Sequence, residues 1–252
     1  MNKTNLHRSY KKIGKLLKEE LQQGLYQIGE RLPPERDFAE RFNVSRTVIR
    51  EALIMLELEN LVSVKKGSGV YVINLPKNEI EVSDDKTSYS DVGPFELLQA
   101  RQLLESSIAE FAAIQANPSD ITKLKDILNR ERITLENNND DYKEDEEFHL
   151  AIAEITQNEV LIQMQKELWK YRSNSMWKGL HAHIIDQQYR KLWLEDHESI
   201  LNAIQRKNPI LAKKMMWKHL ENVKQKLFEL SDVEAPDFDG FLYNTNPVVV
   251  GL

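Results

Sequence analysis

The chain has no cysteine in its 252 residues. That excludes a disulfide framework and any thiolate metal site, so a soft-metal site here must be built from histidine and carboxylate. Long apolar runs are missing as well, and nothing approaches the ~20 consecutive apolar residues that cross a bilayer. The N-terminal stretch MNKTNLHRSYKKIGKLLKEE is basic but lacks the apolar centre of a secretory signal. These absences lead us to expect a cytoplasmic protein with no membrane partner. No internal repeat is evident.

What is present is an ordinary soluble composition, 41% hydrophobic and 29% charged. The length suits one large domain or two modest ones, each able to bury a core. The net charge of −6 is unevenly spread. Residues 1–76 hold 13 Lys+Arg against 9 Asp+Glu, and the remainder holds 21 against 31. A basic head on an acidic body points to a polyanion met by the head alone.

Patterning divides the chain into a head (residues 1–75), a polar linker (76–93), a helical body (94–235) and an unassigned tail (236–252). In RSYKKIGKLLKEELQQG, Ile13, Leu16, Leu17 and Leu21 form one helical stripe that Gly24 ends. Pro33 and Pro34 open a second short helix, where a missing N–H costs little. Asn43 and Val44 make a turn, and Ser45 caps a third helix with Val48, Ala52, Leu53 and Leu56 inward. LVSVKKGSGVYVIN then reads as a hairpin with a Lys-Lys-Gly-Ser-Gly tip. The body carries three/four apolar spacing almost throughout, with turns at Asn117-Pro118, at 137–141 and at Asn208-Pro209. The expected fold class is therefore mainly α: a winged helix-turn-helix followed by an all-α bundle of six or seven helices.

A helix-turn-helix with a basic wing presents the N-terminal part of its third helix to the major groove of double-stranded DNA. On that basis Ser45, Arg46, Thr47 and Arg50, together with Arg36 at the start of the second helix, are candidate groove or phosphate contacts. Lys66, Gly67 and Gly69 at the wing tip join charge to close backbone approach. The segments PPER, SRTVIREAL and KKGSGVYV resemble the DNA-binding head of GntR-type repressors. The likeness implies that Arg36, Arg46, Thr47 and Arg50 contact DNA and that the wing tip enters the minor groove.

Of the six histidines, three fall on inward faces of separate body helices. His149 shares a face with Asp145, one turn earlier. His197 precedes Ile200 and Leu201 by three and four residues, and His219 lies in the stripe of Met216, Leu220, Val223 and Leu227. One inward histidine is ordinarily satisfied by a neighbouring acid or carbonyl. Three with a carboxylate make a set suited to a divalent metal, zinc first, with manganese and nickel also acceptable.

The segments PFELLQARQLLES, DEEFHLAIAEITQN, DHESILNAI and HLENVKQKL resemble the FCD effector domain of the FadR branch of GntR regulators. The likeness implies that Asp145, His149, His197 and His219 bind metal and that Arg101 lies near an effector carboxylate. Arg172, Trp177 and Arg190 are further candidates for the effector cavity. Over most of its length the chain is also similar to the hexuronate-operon repressors of that branch. This implies a homodimer that leaves its operator when a sugar acid binds. Two other readings compete: a metal-dependent enzyme acting on a sugar acid, and a repressor whose metal is structural and whose effector is another carboxylate. Against the enzyme, Glu146 and Glu147 lie off the ligand face, and no general base is evident beside the metal set.

Overall fold

The computed structural model describes residues 10–65, 68–76, 92–137, 143–173, 177 and 187–228. Lys66 and Gly67, most of the 76–93 linker, His181, His183 and the 236–252 tail lie outside the described residues. Two compact units emerge. One runs to Glu96 and takes in Trp177 and the end of the last helix from Gln225, while the other holds Leu97–Ser173 and the described residues up to Lys224.

In the first unit, α1 (Tyr10–Gln22) buries Tyr10, Ile13, Leu17 and Leu21 at three/four spacing. Leu16 is half-buried at the edge of that stripe. Helix α2 (Glu35–Phe42) begins just after Pro33-Pro34, and Asn43 ends it in the left-handed region at φ 54°. There the Val44 N–H donates back to the Ala39 carbonyl at 3.1 Å, which satisfies an orphan carbonyl of the last turn. The Ser45 hydroxyl oxygen accepts the Val48 N–H at 3.4 Å and opens α3 (Arg46–Leu58). Val48, Ile49, Ala52, Leu53 and Leu56 are buried, and α3 packs against both α1 and α2.

The wing is the antiparallel pair β1 (Val62–Lys65) and β2 (Gly69–Val72), with Val62 opposite Val72 and Val64 opposite Val70. The segment before α2 extends this ladder. The Gly29 N–H donates to the Val72 carbonyl at 2.7 Å, and the Leu32 N–H to the Val70 carbonyl at 2.8 Å. Gly69 has φ +111°, and a Cβ there would strike the Arg31 guanidinium. Glycine is favoured here by that backbone conformation, since the exposed Arg31 side chain could move aside.

The second unit is helical throughout its described residues. Helix α4 (Pro94–Gln115) is followed by α5 (Pro118–Glu136), α6 (Lys143–Ile155), α7 (Glu159–Lys170), a 3₁₀ turn at Tyr171–Ser173, α8 (Gln187–Gln205) and α9 (Pro209–Phe228). The asparagines at the turns act as caps. Asn117 and Asp120 form a capping box around Pro118, and the Asn158 side chain accepts the N–H groups of Val160 and Leu161. Asn208 accepts the Leu211 N–H at 3.0 Å. Helix α5 packs on α6 and α8, and α6 packs on α7. Along α4 the buried pairs Leu97/Leu98, Arg101/Gln102, Glu105/Ser106, Ile108/Ala109 and Ala112/Ala113 recur every turn. A polar section thus sits in the middle of an otherwise apolar buried stripe.

Candidate metal centre and nucleic-acid interface

Asp145 and His149 lie one turn apart on α6, His197 on α8 and His219 on α9. One ligand atom from each of the four falls within 4.8 Å of the other three, and all four residues are buried. Phe148, between the two α6 residues, is fully buried against the His197 ring, with centroids 4.6 Å apart. That packing turns α6 so that Asp145 and His149 face inward together. The Nε2 atoms of His149 and His197 each stand 3.5 Å from Asp145 Oδ1. That is too long for a hydrogen bond, and both nitrogens are buried without a hydrogen-bond partner among the described residues. Buried ring nitrogens are normally satisfied. In a tetrahedral zinc site with bonds of about 2.0–2.1 Å, ligand atoms are roughly 3.3 Å apart, close to the separations seen here. Three imidazoles and one carboxylate therefore fit a divalent cation.

The electrostatics agree with that chemistry at His219 and Asp145, while His197 is pushed the other way by its carboxylate neighbours. Burial pushes His219 down to about 4, helped by the neighbouring His197 and His149 against the opposing pull of Asp196, so its ring is neutral and can act as a ligand near neutral pH. Burial opposes ionisation of Asp145, yet Arg172 and the facing histidines outweigh it and hold the carboxyl well below its usual range. Burial also acts to lower His197, and the carboxylates of Glu131 and Asp145 reverse this to raise it.

Two arginines reach the cluster through its carboxylates. Arg172 donates from Nη1 to Asp145 Oδ2 at 2.7 Å, which places it at the cluster. Arg101 donates from Nε to Glu105 Oε1 at 2.6 Å, and Glu105 Oε2 is in turn 2.5 Å from His149 Nδ1. Arg101 and the facing His149 hold Glu105 far below the usual carboxylate range despite its complete burial. The two guanidinium carbons lie over the Trp169 ring, 4.7 Å from its centroid for Arg101 and 4.1 Å for Arg172. Arg190 is buried on α8. Trp177 is buried too and groups with the first unit. Glu146 is exposed and Glu147 is paired with Arg130 at 2.5 Å.

Sequence reading missed Glu105, Glu131, Trp169 and Asp196. Two of them carried a signal. Glu131 is a lone acid within the stripe of Leu124, Ile127, Leu128 and Leu135, and Glu105 stands four residues after Arg101.

In the head, Arg36 is exposed beside Asp37, Arg46 is half-buried and Thr47 is largely covered. The Ser45 hydroxyl is used as the helix cap. Arg50 departs from the expectation that it projects toward DNA, for it is only 2% exposed. Its Nε and Nη2 donate to the two Glu35 oxygens at 2.9 and 2.5 Å. The reason is positional: one turn beyond Arg46, α3 is enclosed by its neighbours, and a buried guanidinium needs a matched carboxylate. Arg31, unremarked in the sequence, is exposed above Gly69 at the tip end of the wing.

Residues 9–72 match the family described as bacterial regulatory proteins, gntR family, and residues 96–222 match the FCD domain. The chain is 60% identical over 248 residues to the Uxu operon regulator of Haemophilus influenzae, spanning 98% of this chain and 92% of that protein. It is 47% identical to the Uxu operon transcriptional regulator of Escherichia coli K12, over 97% of this chain and 96% of that one. The Exu regulon transcriptional regulator of the same organism is 45% identical, over 99% and 96%. These relatives are named as regulators, not as enzymes. With a winged helix-turn-helix ahead of a helical body that holds a buried Asp/His₃ cluster, the chain belongs to the GntR family of bacterial transcriptional regulators and carries an FCD domain.

Proposed function

We propose that this regulator is a dimeric repressor that binds operator DNA and releases it when a hexuronate or related sugar acid enters a metal-containing pocket in the body. One observation carries the reading: the Asp145/His149/His197/His219 cluster is joined directly to two buried arginines, Arg172 through Asp145 and Arg101 through Glu105. A pocket with a cation and two guanidiniums suits a small anion rich in oxygen ligands. The likeness to Uxu and Exu operon regulators, together with the sequence resemblance to hexuronate-operon repressors, supports a hexuronate as that anion.

When bound at the four ligands, a divalent metal (zinc first, manganese or nickel as alternatives) supplies Lewis-acid positions for carboxylate and hydroxyl oxygens. The chain's own residues supply orientation. Arg101 and Arg172 offer planar, forked donors suited to a carboxylate, with Arg190 contributing from α8. Both guanidiniums lie over the Trp169 ring, a cation–π contact that helps to hold them in place. The effector shifts operator occupancy only in so far as it binds the two arrangements of the heads with different affinity. In the head, Arg46, Thr47, Arg36 and the wing residues Lys66, Gly67 and Gly69 face DNA. Arg50 serves by holding Glu35 and the start of α2 against α3.

The test is calorimetric titration of zinc-loaded protein with galacturonate, glucuronate and fructuronate, paired with an operator gel shift. We expect one of the three to bind and to release the operator at matching concentrations. Operator binding that none of them alters would refute the hexuronate assignment.

A further inference from the structure

Behind each metal-facing histidine stands a carboxylate, and one of them, Glu131, has no part in the reading above. Glu131 Oε2 of α5 lies 3.0 Å from His197 Nδ1. Glu105 Oε2 of α4 lies 2.5 Å from His149 Nδ1. Asp196 Oδ2 of α8 stands 3.6 Å from His219 Nδ1, beyond hydrogen-bond range. All three acids approach Nδ1, whereas the carboxylate that faces the Nε2 side of His149 and His197 is the ligand Asp145.

We propose that Glu131 is a positioning residue that sets the tautomer and ring angle of His197, the one histidine of the three whose Nδ1 is hydrogen-bonded to a carboxylate among the described residues. The proposal rests on the metal reading given above. A neutral imidazole has one N–H and one lone pair. A carboxylate at Nδ1 holds the proton there, which leaves the lone pair on Nε2 for a cation, stops the ring from rotating and raises its basicity. Glu131 is singled out for two reasons. Among the described residues its side-chain partner is His197 alone, whereas Glu105 also takes the Arg101 guanidinium and Asp196 Oδ2 accepts from the Asn222 amide. Glu131 also sits in the apolar stripe of α5, with Leu124, Ile127, Leu128 and Leu135. A carboxylate in that setting costs stability unless it is matched, and His197 Nδ1 is its match.

The full chain, with Glu131→Gln and Glu131→Leu, tests this through metal binding. Cobalt(II) serves as a spectroscopic probe, and zinc affinity is read by competition with a chromophoric chelator. The unsubstituted protein should give the intense visible bands of four-coordinate cobalt. Glu131→Leu should shift those bands and weaken zinc binding roughly 10–100-fold. Glu131→Gln keeps an oxygen acceptor for Nδ1–H and should recover much of that loss. Operator gel shifts and the helical circular dichroism of both metal-free variants should match the parent. Zinc affinity of Glu131→Leu within twofold of the parent, with unchanged cobalt bands, overturns the positioning role while leaving the metal site standing. Absence of cobalt bands in the unsubstituted protein overturns the metal reading and this inference together.

Discussion

A single side chain shows how burial redirects chemistry in this protein. Arg46 and Arg50 lie one turn apart on α3 and look alike in sequence. Arg46 keeps partial access to solvent, while Arg50 is buried and held bidentately by Glu35. The two should therefore respond differently to truncation. Arg46→Ala should cost about 1–3 kcal/mol of operator affinity and relax specificity at the base it reads. Equal weakening on specific and random duplex, measured by fluorescence anisotropy, would instead make it a phosphate contact. His197 is the corresponding test in the body. His197→Ala removes one ligand and the partner of Glu131, and should leave operator binding intact while blunting release by the sugar acid. An unchanged inducer response in this variant would end the sensor interpretation.

Among the elements, α3 has a second, quieter duty at its centre. Glu51 is buried at 1% exposure, and its Oε1 accepts the Phe95 N–H at 3.0 Å and the Glu96 N–H at 3.4 Å, so it caps the first turn of α4. Its carboxyl occupies the space that a Cβ at Gly93 would fill, which explains glycine just before that helix. Burial, reinforced by Glu96, pushes the Glu51 carboxyl up to about 8 from 4.5, with the two N–H donors pulling the other way. A carboxyl raised on folding contributes stability that is fully present below its unfolded value and is lost as pH rises through the folded value. The chain should therefore lose stability from this group between about pH 4.5 and pH 8. Glu51→Gln retains the acceptor without the charge. Its melting temperature should exceed the parent's by a margin that widens with pH to roughly a few degrees and levels off above pH 8. A margin that stays constant across that range would show that Glu51 does not titrate there.

For the molecule as a whole, the cluster draws its ligands from α6, α8 and α9, and a bound cation would join three helices that are far apart in sequence. Metal binding and body stability are therefore linked. If the metal is chiefly a sensor, chelation should abolish operator release by the sugar acid while circular dichroism retains its helical signal. Melting of the body on chelation would make the metal mainly a structural staple. Among the described residues no helix is long and apolar enough to cross a membrane.

The sequence alone determined the elements and their caps, because these depend on neighbours within one or two turns. Ser45, Asn117 and Asn208 mark helix starts by side-chain geometry that the local chain dictates, and the Gly24 and Asn43 stops follow from left-handed backbone. The inward faces of His149, His197 and His219 were legible for the same reason, as period 3.6 places them. Nothing local joins residues 48 and 22 positions apart, so only packing of α6, α8 and α9 decided that their nitrogens meet Asp145 within one site. Packing also decided that Glu131, 66 positions from His197, stands behind that ring, and that Arg50 faces Glu35 in place of solvent. Spacing fixes which side of a helix a residue occupies, and burial by other helices decides what it touches there.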